Sequence, residues 1–141
     1  MGEGQLERRL YSFVSQRREM GFAWGINDCN VLCLAWLDEL TGLSLSDQAK
    51  GKYSTAIGAA RFQTRIGKRL SDEIKAFGGI EIPQGFQQEG DFLIVENEKW
   101  DCGHICLGRR LLSAGPDSGC TIFAYSDEIK YKVFRVELCH K

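Results

Sequence analysis

Histidine is nearly absent from this chain of 141 residues, which holds only His104 and the penultimate His140. A residue one place from the end frays, so any chemistry that needs an imidazole rests on His104. Charge of one sign is also lacking. A formal net charge of -1 gives no electrostatic reason to expect nucleic acid or an anionic membrane as partner. The basic pairs Arg8-Arg9 and Arg17-Arg18 fit the solvated face of a helix. No run is long and apolar enough to cross a bilayer, so no membrane span is expected. Met1 to Arg8 lacks the charged-then-apolar plan of a signal peptide, and no hydroxyl residue at position 6 supports myristoylation. The expectation is a protein that is cytoplasmic when synthesised. Internal repeats, low-complexity tracts and linkers are missing as well, which makes 1-141 a single domain.

What is present is ordinary for a globular chain: 43% hydrophobic residues against 26% charged, and enough length to bury a core without staples. The six cysteines, Cys29, Cys33, Cys102, Cys106, Cys120 and Cys139, are therefore expected to be reduced.

The hydrophobic period changes halfway along. Leu6, Leu10, Phe13 and Val14 repeat at helical spacing and predict an amphipathic helix over Gln5 to Glu19. Asn27-Asp28 can cap a second helix from Cys29 to about Glu39, apolar nearly all round and so central. Gly42 sits where a left-handed C-cap belongs. Leu43 to Tyr53 is expected as an irregular connection. Ser54 and Thr55 can cap a third helix through Ala56, Ala59, Ala60, Arg61 and Ile66 to Gly67, and a short fourth covers Ser71 to Phe77. Strand formers then follow in five runs: Phe92 to Val95, His104 to Leu107, Leu111 to Ser113, Thr121 to Phe123 and Tyr131 to Leu138. Helices followed by consecutive strands predict an α+β fold, with the helices on one face of an antiparallel sheet.

The chemistry gathers at Trp24-Gly25-Ile26-Asn27-Asp28-Cys29-Asn30. A cysteine in the first turn of a helix meets unpaired N–H groups and the positive dipole end, which favour a thiolate. Cys33, one turn further in among leucines, is assigned to the core. His104 stands in a strand whose alternation puts Cys102, His104 and Cys106 on one face. An imidazole within hydrogen-bond reach of Cys29 would hold a thiolate–imidazolium pair.

Asp28-Cys29 at a helix start, Gly90-Asp91 opening a strand, and Gly103-His104-Ile105-x-Leu107-Gly108 resemble the NlpC-like cell-wall peptidases of the papain-like superfamily. Phe22-x-Trp24-Gly25-x-x-Asp28-Cys29 with Gly51-x-Tyr53 resembles a small phage and prophage branch encoded among tail genes. The resemblance runs from about Phe22 to Gly119. It implies a papain-like fold and a thiol hydrolase of amide bonds in peptidoglycan stem peptides, needing no cofactor. It also implies a place in a virion tail, with phage tail proteins as further partners. Matched residue by residue, Cys29 is the nucleophile and His104 the general base. Ser113 stands at the third position, where the family uses a stronger orienting group. The backbone N–H of Cys29, with Asp28 and Asn27 beside it, would serve the oxyanion. Trp24 and Trp100 are the aromatics placed to line a substrate groove, whereas Trp36 belongs to the core.

Two rivals stand beside the hydrolase. Ser113 and the rule that a fold does not guarantee activity favour a structural tail-assembly protein that kept the fold and lost the chemistry. Cys29-x-x-x-Cys33 and Cys102-x-His104-x-Cys106 could instead supply a zinc site, though these spacings are looser than a tight knuckle.

Overall fold

The structure is a computed structural model that describes residues 3–65, 69–98 and 100–139. The first half is helical: α1 (Glu3–Met20), α2 (Cys29–Thr41), α3 (Ser46–Ala49), α4 (Ala56–Arg65) and α5 (Leu70–Ala76). Six strands follow: β1 (Ile80–Ile82), β2 (Phe92–Glu96), β3 (Asp101–Cys106), β4 (Arg110–Gly115), β5 (Gly119–Ala124) and β6 (Lys132–Arg135). They form one antiparallel sheet in the order β1-β6-β2-β3-β4-β5. The class is thus α+β, with one continuous element order along the chain. Two short elements break the expectation. The connection Leu43 to Tyr53 contains the single-turn α3, and β1 adds an edge strand that three residues could not announce by period. His140, and the proposed end of the third helix at Ile66 and Gly67, lie outside the described residues.

Helix α2 is the centre of the molecule because its body from Val31 to Leu37 is apolar on every face. Val31, Leu32, Cys33, Leu34, Ala35, Trp36, Leu37 and Leu40 are all buried. Its ends are fixed locally. The Asp28 carboxylate accepts from the amides of Asn30 and Val31, each at 2.9 Å, and Gly42 at φ 79° returns its N–H to the Asp38 carbonyl. Leu10, Phe13 and Val14 bring α1 onto this helix, and Leu70 and Ile74 bring α5. The sheet closes the same core with Phe92, Ile94, Ile105, Leu112, Ala114 and Phe134.

The sheet's second face carries its own small apolar cluster of Leu93, Cys106, Leu111, Tyr131 and Val133. No helix covers it among the described residues. Instead the segment before β6 folds across: the Gln84 amide bonds the Tyr125 hydroxyl and the Ile129 carbonyl, and its oxygen accepts from Tyr131 N–H. Two buried carboxylates then fix the sheet, one to its own strand β6 and one to the start of α5. Asp91 holds Arg135 through two nitrogens, and Asp101 holds Arg69 at 2.9 Å together with the backbone and hydroxyl of Ser71. Gly90 turns with φ 91° and offers its carbonyl to the buried Trp36 indole at 2.8 Å, so the Gly90-Asp91 pair is a structural joint. Among the described residues no helix is long and apolar enough to cross a membrane.

Candidate functional site

The entry to α2 is a knot of short-range contacts that explains its motif. Gly25 (φ 77°) donates its N–H to Asp28 Oδ2 at 2.7 Å and accepts from Gly51 N–H at 2.8 Å. A Cβ at position 25 would lie 2.0 Å from the Tyr53 carbonyl oxygen, so only glycine fits. This is why Trp24-Gly25 and Gly51-x-Tyr53 occur together. Asn27 is buried and spends its amide on the carbonyls of Arg17 (3.1 Å) and Gly21 (2.6 Å), while its oxygen accepts from Arg17. Asp28 has both carboxylate oxygens occupied by backbone amides. Both residues thus support the loop locally. An acceptor-only carboxylate and an amide already committed to carbonyls offer no donor to an oxyanion.

Cys29 opens the helix mostly buried, and β3 crosses directly beneath it. Gly103 makes that approach possible. A Cβ there would fall 2.5 Å from Cys33 Sγ, 2.6 Å from Leu70 Cδ2 and 3.2 Å from the Cys29 carbonyl oxygen. The ladder between β3 and β4 pairs Ile105 with Leu112 and Cys106 with Leu111. Ahead of it, the Gly103 carbonyl accepts from the Ser113 hydroxyl at 2.8 Å. A strand residue's N–H and C=O point the same way, so the Gly103 N–H also faces this seam, and there it donates toward the Cys29 sulfur. The thiol of Cys102 meets the thiol of Cys29 at the same place.

The two thiols titrate as a pair. Cys102 ionises more readily than an ordinary cysteine because Cys29 donates its S–H to it. Cys29 is held up by that same hydrogen bond and then by burial, against the Gly103 N–H, which lowers it. Cys33 is raised by burial in the core, where the sequence placed it.

No hydrogen bond joins His104 to Cys29 among the described residues. Gly103 and Ile105 face α2, so Cys102 and His104 both face the second side of the sheet, and Cys102 interacts with the Cys29 sulfur only at the open seam beside Gly103. The His104 Nδ1 lies 3.0 Å from the Leu93 carbonyl, which can only accept, so Nδ1 carries the proton. The ring packs edge-on against Phe123 and Tyr131, with centroids 5.8 and 5.4 Å apart. Burial lowers its pKa, and the Leu93 contact offsets part of that. Here His104 is a neutral, aromatic-packed histidine with Leu93 as its orienting group. Ser113, expected to orient the ring, bonds Gly103 instead. Trp24 packs T-shaped on Phe22 at 4.8 Å. Trp100 is exposed, immediately ahead of β3 and two residues from Cys102. A zinc site lacks its ligand set: among the described residues no group of three or more His, Cys, Asp or Glu could hold a metal.

Cys102 is the residue that motif reading passed over, because Gly103-His104 drew the match two places along the strand. Gly103 was the available signal. A glycine between two candidate side chains marks where a neighbouring backbone comes close, and the residue beside it meets the helix start.

Fold and site define an α+β domain with two thiols facing each other at the start of its central helix. The chain belongs to the family described as Domain of unknown function (DUF6950), which matches residues 4–136. Comparison with curated proteins gives no match, and comparison with solved structures gives none.

Proposed function

We propose that this domain keeps a papain-like, NlpC-like arrangement and serves as a structural or assembly domain of a phage or prophage tail, without Cys–His hydrolase activity. One observation carries the reading: Cys29 stands at the helix start that such an enzyme uses, but Cys102 faces it and the His104 ring is turned to Leu93. A general base must reach the proton it removes, directly or through one water. A thiol facing a thiol lacks the imidazolium that would hold the nucleophile charged. The tail setting follows from the resemblance of Phe22-x-Trp24-Gly25-x-x-Asp28-Cys29 to the phage branch.

The hydrolase reading keeps one favourable observation, Cys29 at a helix N-terminus with the Gly103 N–H directed at its sulfur. Incubation with peptidoglycan sacculi of several wall types, and with short stem peptides, separates the two. The structural reading predicts no new amino termini above a Cys29→Ala control. Release by the wild type that Cys29→Ala abolishes overturns it.

A further inference from the structure

We propose that this domain pairs with a second copy of itself along β5, in antiparallel two-fold register, so that the sheet continues across the dimer axis. The pairing goes beyond the tail role proposed above and stands whether or not that role holds.

β1 and β5 are the outer strands of the sheet, and they differ as edges. β1 has three residues, carries the exposed Glu81 at its centre and is followed by Pro83, which has no N–H to offer. Short length, charge and proline are devices that keep an edge from pairing. β5 has six residues, Gly119 to Ala124, with neither charge nor proline among them. Its backbone phase is fixed by β4. Tyr125 donates to the Arg109 carbonyl in the same register that pairs Leu111 with Phe123 and Ser113 with Thr121. Hydrogen-bonded pairs alternate along an antiparallel ladder, so Thr121 and Phe123 spend their N–H and C=O groups on β4. Cys120, Ile122 and Ala124 turn theirs outward, and among the described residues no backbone hydrogen bond takes them up.

A second β5 satisfies that row over the full length of the strand in one register. Ile122 lies opposite its own counterpart on the axis and Cys120 opposite the counterpart of Ala124, each pair exchanging both N–H···O bonds. The intervening pair sets Thr121 against Phe123, an exposed ring at the free edge. No charge stands within the paired span, since Asp117 and Asp127 lie in the turns at either end. Beside the edge, an opening of about 360 Å³ is lined by Val14, Ser15, Arg18, Glu19 and Cys120. Arg18 and Glu19 make no ion pair among the described residues. A two-fold axis offers the cation of one copy to the anion of the other, and this mixed sign suits a second copy better than a peptide of one charge.

The test is sedimentation velocity of the full-length reduced protein from about 1 µM to about 500 µM, with amide hydrogen exchange at both ends of the range. The contact is small, so a reversible, concentration-dependent dimer is expected. The amides of Cys120, Ile122 and Ala124 should gain protection with concentration, whereas those of Thr121 and Phe123, already bonded to β4, should not change. Ala124→Pro removes an outward N–H from each copy and no bond to β4, and should weaken dimerisation by about tenfold or more. Ala124→Lys places a charge at the same exposed position without constraining the backbone, and should weaken it too, which covers a poorly folded proline variant. Ile80→Lys, at the exposed start of β1, should dimerise as the wild type does. A monomer throughout the range, a dimer whose β5 amides gain no protection, or one that both Ala124 variants leave intact would each overturn the proposal.

Discussion

Replacing Gly103 by alanine tests how tightly β3 is seated under α2. The added methyl would stand 2.5 Å from Cys33 Sγ and 2.6 Å from Leu70 Cδ2, over an ångström inside normal contact, with the Cys29 carbonyl at 3.2 Å. Leu70 ends in a flexible methyl and can rotate, but Cys33 and the Cys29 carbonyl ride on the helix itself. Alanine would gain about 0.5–1 kcal/mol from restricting the unfolded chain. Overpacking a dense core costs about 1–3 kcal/mol, so the clash wins and Gly103→Ala is expected to destabilise by about 1–2 kcal/mol. Cys33→Ala alone leaves a one-atom void, costing about 1 kcal/mol. In the double variant the new methyl occupies space the sulfur vacated, so the two losses do not add. Urea titrations of all four proteins, with unchanged m-values, read this as a coupling of about 1 kcal/mol in the compensating direction. Strict additivity, or a Gly103→Ala variant as stable as the wild type, would refute the close approach.

Asp28→Ala removes the acceptor for the amides of Gly25, Asn30 and Val31, and urea denaturation should show a loss of about 2 kcal/mol or more. Asp28→Asn, which keeps an acceptor oxygen, should lose less. His104 supplies a pH signature. Its folded-state pKa lies below the ordinary value of ~6.5, so the unfolded chain binds more protons in that window, and stability falls as pH drops through and below ~6.5. Thermal melts of wild type and His104→Gln between pH ~7 and ~5 should show a shallower acid decline for the variant. A thiolate-paired, raised histidine would give the opposite slope.

The helical half was legible because its signals are local. Leu10, Phe13 and Val14 mark the buried stripe of α1, and Asp28 and Gly42 punctuate α2 as their chemistry requires. The alternation of β3 was legible too, and it correctly groups Cys102, His104 and Cys106. Period does not say where along a strand a neighbouring helix crosses, and the site depends on that register. One step of two residues, roughly 7 Å, separates a base beside Cys29 from a thiol beside it. That step is set by long-range packing of Gly103 against Cys33 and Leu70. Nor could the motif distinguish Asp28 as cap from Asp28 as catalytic support, because both roles favour the same residue at the same helix start. Short elements such as α3 and β1 fall below the length at which periodicity speaks.

Alkylation of Cys29 with iodoacetamide against pH, mapped by peptide mass, tests the central placement most directly. Wild type, Cys102→Ala and His104→Ala are compared as folded proteins. Cys29 is held above an ordinary cysteine first by its hydrogen bond to Cys102 and then by burial. Cys102→Ala should therefore move the midpoint of Cys29 reactivity to lower pH, toward the ordinary ~8.5, and His104→Ala should leave it in place. A profile that shifts with His104→Ala and ignores Cys102→Ala would contradict the account, and would put the imidazole back beside the sulfur.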